Sequence, residues 1–170
     1  MPRKKVKRFN MNVSINVFNP KPFTPFQWAA QEKIDLLEKK INNILENIPQ
    51  KYINISWSDI ARSQIECALS RGDTRLGSVI EDAWKAGAKF DNWTDLFDRK
   101  AWRDAFEKNG IVIDFYTTRG YDTSEILPWD SIDMIVKKEF LLSQYKKALE
   151  WEPVREMDPG TRADSNEEGK

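Results

Sequence analysis

The sequence predicts an α+β fold, with a strand–helix–strand unit over 11–57 and a small, mostly helical domain over 58–151. Three observations carry this. Residues 11–18 and 52–57 alternate apolar and polar with a period of two, as half-buried strands do. Between them, Ile34, Leu37, Ile41, Ile44, Leu45 and Ile48 form one apolar stripe at helical spacing. After Trp57 the period stays helical and is punctuated by Gly72, Gly87 and Gly110.

The elements follow in order. Residues 1–10 carry Arg3, Lys4, Lys5, Lys7 and Arg8. They read as a basic, flexible start, either solvated or facing RNA or an acidic partner. In the first strand, Met11, Val13, Ile15 and Val17 alternate with Asn12, Ser14 and Asn16, and Pro20 ends it. The run Pro20-Lys21-Pro22-Phe23-Thr24-Pro25 cannot be helix or central strand, because its prolines lack donors. Thr24, Pro25 and Gln27 then resemble a capped helix start, with Phe23 and Trp28 as a hydrophobic staple. The expected helix spans about 25–48 and stops at Pro49. Strand, helix, strand implies parallel pairing, and one such unit cannot cover both faces of its sheet.

Ser63 and Glu66 suggest a capping box for the next helix, with Gly72 as its left-handed terminus. Asp73 is placed to cap a helix bearing Leu76, Val79, Ile80, Ala83 and Trp84, closed by Gly87. Asp98 is placed to cap another, bearing Trp102, Ala105 and Phe106 and closed by Gly110. An irregular stretch, 111–133, leads to a last helix over about 137–151. Residues 152–170 have few apolar side chains and an acidic excess, and read as a disordered tail.

Composition narrows the function. Basic and acidic residues balance at 27 each, which disfavours a generally basic nucleic-acid binder. The absence of histidine removes His metal sites, His general bases and the Ser-His-Asp triad. One cysteine, Cys67, removes an internal disulfide and an all-cysteine cluster within one chain. No apolar run approaches the ~20 residues of a membrane span, or the roughly 7–15 of a signal peptide core. The expected setting is the cytoplasm, with no membrane partner.

Two loops are candidates for binding or for a structural cluster. Ser70-Arg71-Gly72-Asp73-Thr74-Arg75 could grip phosphate or carboxylate through Arg71 and Arg75. A plain helix joint capped by Asp73 explains the same residues. The second loop, Pro128-Trp129-Asp130-Ser131-Ile132-Asp133, holds two carboxylates, Asp130 and Asp133, beside Trp129. They could share a proton or bind a hard cation; a turn with a core tryptophan is the structural alternative. Because the loops carry opposite charge, Arg71, Asp73, Arg75, Asp130 and Asp133 are expected to meet in part. Trp84, Trp93, Trp102, Phe97 and Phe106 could stack bases, but their helical spacing points to core packing.

Several stretches together resemble a known family. Val17-Phe18-Asn19-Pro20-Lys21-Pro22-Phe23-Thr24-Pro25-Phe26-Gln27-Trp28 looks like the closing strand of a radical SAM barrel. The resemblance is to the large proteins that join a cobalamin-binding-like domain to a radical SAM core. Leu69 to Gly77, Ala86 to Trp93, Leu127 to Asp133 and Lys138 to Leu141 agree in the same order. The likeness covers roughly residues 12–150. It implies that 11–57 is the terminal βαβ piece of a barrel and that the chain is a C-terminal fragment or split part. A [4Fe–4S] cluster and S-adenosylmethionine are implied for the full-length family. The cluster sits on three cysteines in a Cys-x-x-x-Cys-x-x-Cys motif, and only Cys67 is present here. No catalytic, cofactor-binding or metal-binding residue therefore carries over.

The expected role is to support or cover a radical SAM core supplied elsewhere, without chemistry of its own. The expected partners are that separately encoded core, or a second copy through strand 11–18. The alternatives are a freestanding nucleic-acid-binding or protein-interaction module, and a metal-independent enzyme built on Asp130 and Asp133.

Overall fold

The computed structural model describes residues 10–48, 52–89, 91 and 93–150. The tail 152–170 and all but Asn10 of the basic start lie outside these residues. The fold mixes helix and strand and is mostly helical. Strand β1 (Met11–Ile15) leads through helix α1 (Ile34–Asn47) to strand β2 (Ile53–Trp57). Helices α2 (Ile60–Arg71) and α3 (Leu76–Lys85) follow, then a 3-10 turn at Thr94–Leu96. Helices α4 (Arg99–Lys108), α5 (Asp114–Thr117) and α6 (Lys138–Glu150) come last among the described residues.

The two strands pair in parallel, with Met11 opposite Ile53, Val13 opposite Ile55 and Ile15 opposite Trp57. Partners in register share a face, so these six form one apolar layer. Asn12, Ser14, Asn54 and Ser56 form the other, and Asn54 Nδ2 donates to Asn12 Oδ1 across the strands at 3.0 Å. Trp57 lines a cavity together with Ile34 and Ile41, so α1 stands beside the Trp57 end of the apolar layer. Among the described residues the sheet has only these two strands, and each keeps one edge without a strand partner. The first strand stops at Ile15, short of the expected Phe18. Beyond it the Val17 N–H donates to Ser58 Oγ at 3.1 Å, which replaces the ladder.

The expected helix start at Pro25 is not realised, and α1 begins at Ile34. Tertiary partners hold the backbone of 23–31 in turns instead. Phe23 has φ of 59°. The Gln31 N–H donates to Thr117 O, and the Trp28 carbonyl accepts from the Tyr121 N–H. Gln27 does work as a local acceptor, but it receives the Phe23 N–H at 3.1 Å and not that of Thr24.

Two cores follow. The first gathers Ile65 and Ala68 from α2, Leu76, Val79 and Ala83 from α3, Trp102 and Phe106 from α4, and Tyr116 from α5. The second gathers Trp28, Tyr121, Leu127, Trp129 and Leu141, with Phe23 and Tyr145 against it. Of the aromatic set, Trp102 and Phe106 are core, whereas Trp84 and Trp93 are largely exposed.

Helix ends divide between expectation and correction. Asp98 caps α4 by accepting from the Ala101 N–H at 2.9 Å, and Gly87 and Gly110 end their helices at positive φ. Helix α2 is capped by Asp59, which accepts from the Arg62 N–H at 2.8 Å, and not by Ser63. Ser63 is inside the helix and buried. Gly72 is not left-handed, having φ of −71°. It is needed for space, since a Cβ there would stand 2.1 Å from Leu76 Cδ1 and 3.0 Å from the Ala68 carbonyl.

Candidate functional site

The joint between α2 and α3 carries Arg71, Asp73 and Arg75, and each has a different fate. Arg71 ends α2 pointing inward and is fully buried. Its Nη1 donates to Thr117 O and its Nη2 to Arg119 O, both at 2.9 Å. The guanidinium lies over the Tyr121 ring, 4.4 Å from its centroid. Among the described residues Arg71 has no carboxylate partner, and its Nε makes no hydrogen bond. Two carbonyl dipoles and a ring face replace the water that the charge has lost.

Asp73 opens a turn. Its Oδ1 accepts from the Arg75 N–H at 3.0 Å, and its Oδ2 accepts from Arg75 Nη2 at 2.7 Å. The Tyr116 hydroxyl adds a bond to Oδ1 at 3.2 Å. The Arg75 guanidinium holds the Asp73 carboxyl down at about 2, against an ordinary 3.8. Burial pushes the Tyr116 hydroxyl up, and the Asp73 charge adds to this.

Helix α5 and the segment after it supply rings that interleave with arginines. Arg75 lies 5.3 Å from the Phe115 centroid, and Arg119 lies 4.8 Å from the same ring and 4.6 Å from that of Tyr121. With Arg71 on Tyr121, the order is Arg75, Phe115, Arg119, Tyr121, Arg71. Arg119 also pairs with Glu125 at 2.6 Å. Tyr121 then meets Trp129 edge to face at 6.0 Å.

The second loop is stitched down locally. Trp129 is buried, and its Nε1 donates to Gln27 Oε1 at 2.8 Å. Asp130 Oδ2 accepts from the Leu127 N–H at 2.9 Å and from Lys138 Nζ at 2.5 Å. Asp133 is exposed and stands 3.4 Å from Lys137. Of the five residues expected to meet in part, Asp73 and Arg75 do. Among the described residues no ion pair joins the two loops, because each carboxylate has a cation close by in sequence. Asp73 takes Arg75, Asp130 takes Lys138 and Asp133 faces Lys137. What links Arg71 to Trp129 is the Tyr121 ring between them. Asp130 and Asp133 line one cavity, each beside its own lysine. Among the described residues no group of three or more acidic or cysteine side chains is placed to hold a metal ion.

Sequence reasoning missed Phe115, Tyr116, Thr117, Arg119 and Tyr121. They lie in a stretch with no period, and a four-residue helix leaves no amphipathic signature. The one available signal is the grouping of Phe115, Tyr116 and Tyr121 around Arg119. Cys67 is fully buried beside Arg71, and burial pushes its thiol up. No helix among the described residues is long and apolar enough to cross a membrane.

Comparison with known proteins finds no matching family model, no matching curated protein and no matching solved structure.

Proposed function

We propose that the chain is the C-terminal part of a radical SAM iron–sulfur protein of the cobalamin-binding-domain type. It completes and covers a core supplied elsewhere and does no chemistry alone. The reading rests on the ordered motifs from Val17 to Leu141 and is supported by one structural observation, the unfinished parallel sheet. β1 and β2 place an apolar layer on one face, with α1 beside its Trp57 end, and a layer of Asn12, Ser14, Asn54 and Ser56 on the opposite face, with both outer edges open among the described residues. Barrel strands likewise alternate, one set of side chains facing the interior and the other facing the helices outside. A two-stranded sheet is marginal unless more strands or a packed helix support it, and strands of the core would extend it at its open edges.

The segment with the strongest motif, 17–28, joins sheet to helices in a way that suits a completing piece. Lys21 Nζ donates to Glu66 Oε1 at 2.6 Å and to Ser70 Oγ at 2.8 Å, which docks the proline-rich run on α2. The test is co-expression with a radical SAM core of this type whose own last strands have been removed. A stoichiometric complex is expected. Failure of that core and this chain to associate would overturn the reading.

A second reading, a nucleic-acid-binding module, draws on the Arg75–Phe115–Arg119 stack, whose members are all partly exposed. Stacked bases and phosphates would use such a surface. Binding of single-stranded RNA that weakens with salt and with Phe115→Ala would favour it.

A further inference from the structure

The sheet and the buried arginine leave one cavity without a role. It holds about 420 Å³ and lies between the turn at 23–27, the loop 130–136 and the first turn of α6. Gln27 lines it and is only 2% exposed. The Phe23 N–H and the Trp129 Nε1–H converge on one end of its amide, at 3.1 and 2.8 Å. Only an oxygen accepts from both, so chemistry fixes that end as Oε1 and the other as the NH2 group. Among the described residues that NH2 has no acceptor. A buried donor left unmet is costly, and a ligand that brings an acceptor removes the cost.

The start of α6 faces the same space. Lys138 and Glu139 occupy its first two positions and line the cavity. Phe140 and Leu141 donate to the Lys137 carbonyl, whereas the backbone N–H groups of Lys138 and Glu139 have no partner among the described residues. Such donors, at the positive end of a helix, favour a carboxylate or another anionic oxygen. The side-chain charges narrow the choice. Asp130 is taken by Lys138 and by the Leu127 N–H, and Asp133 faces Lys137. Glu139 also lines the cavity, and among the described residues it has no cation partner. A simple anion would meet the unmet donors and be repelled by this surplus carboxylate. A zwitterion meets both. The remaining wall is apolar, with Phe23, Met134, Val136 and Leu141.

We propose that this cavity binds a free α-amino acid with an aliphatic side chain. Its carboxylate accepts from the Gln27 NH2 and from the N–H groups that open α6. Its ammonium answers the Glu139 carboxylate, and its side chain lies against Phe23 and Leu141. The volume falls in the range of small-molecule sites, roughly 300–1,000 Å³.

The test follows the Gln27 side-chain amide by nitrogen–proton correlation NMR of the labelled full chain, titrated with L-leucine. A saturable shift of that NH2 pair is expected. L-Leucinamide lacks the carboxylate and N-acetyl-L-leucine lacks the ammonium, and each should bind about tenfold or more weakly. Gln27→Glu keeps an oxygen for the Phe23 and Trp129 donors but loses the NH2. It should lower the L-leucine affinity by a similar factor, read from the backbone amides of 138 and 139. Glu139 is exposed, so Glu139→Gln gives a readout that does not depend on the buried variant folding. It should weaken L-leucine by a few fold and leave N-acetyl-L-leucine unchanged. A Gln27 NH2 pair that L-leucine does not shift overturns the proposal. So does a leucine derivative that binds as well as the amino acid, or an L-leucine affinity that Glu139→Gln leaves unchanged. No core protein is present in the test, so its result is independent of how the sheet is completed.

Discussion

Arg71 sits where a charge is hardest to keep, fully buried and held by two carbonyls and a ring. Removing it strands the carbonyl of Arg119, leaves that of Thr117 with the Gln31 N–H alone, and opens a cavity. An unsatisfied buried acceptor costs about 1–3 kcal/mol. Arg71→Ala is therefore expected to lose roughly 3 kcal/mol or more in urea unfolding, whereas Arg75→Ala at the exposed pair loses about 0–1 kcal/mol. Equal losses would show that Arg71 is not the staple between α2 and the 117–121 segment. Asp73 provides a pH test. Its carboxyl sits at about 2 when folded, against an ordinary 3.8, because the Arg75 guanidinium favours the ionised form. A lowered folded value stabilises fully above the ordinary value and is lost as pH falls through about 2. The melting-temperature gap between the parent and Asp73→Asn should be open at neutral pH and should close near pH 2. Because the pair is partly exposed, added salt should narrow the gap as well. The sequence drew attention to Arg71, Asp73 and Trp129, and all three are structurally engaged. It could not reveal that Arg71 turns inward, because nothing in a helix-ending Ser-Arg-Gly tells which face of the joint will be covered.

At the scale of elements, the helix ends carry the clearest predictions. The Asp98 carboxylate satisfies one orphan N–H of α4, so Asp98→Ala should cost about 1 kcal/mol. Gly110 has φ of 64° with open space around it, and Gly110→Ala should cost roughly 1–2 kcal/mol through backbone strain alone. Gly72→Ala should cost more although its φ is ordinary, since the new methyl would collide with Leu76 and the Ala68 carbonyl. Thermal or urea unfolding of the three variants would rank them. If Gly72→Ala proved the mildest, close approach would not be the reason for that glycine. The Asp98 and Gly110 ends were legible because caps are local. The start of α1 was not, because 24–31 has a good capping pattern whose groups are claimed by Thr117, Tyr121 and Trp129 from far along the chain. Helix propensity is a weak prior, and tertiary partners override it there.

For the whole molecule, the strand–helix–strand unit and the helical part could be read from periodicity, since burying one face imposes a period of 2 or 3.6. The division of the helical part into two cores could not, because the contacts between Trp28, Tyr121, Trp129 and Leu141 span most of the chain. This chain alone is expected to bind no iron–sulfur cluster. Cys67, its only cysteine, is fully buried with a raised thiol. Cys67 should accordingly resist a thiol reagent in the native protein and react once the chain is unfolded in urea. The central claim is that the open edges of β1 and β2 are completed by strands of a radical SAM core. Hydrogen exchange of the amides of 11–15 and 53–57 tests it most directly, measured on this chain alone and with such a core lacking its own last strands. The account predicts that these amides slow markedly when the core is added, while those of α3 and α4 hold their rates. Strand amides that exchange equally fast with and without the core would contradict it.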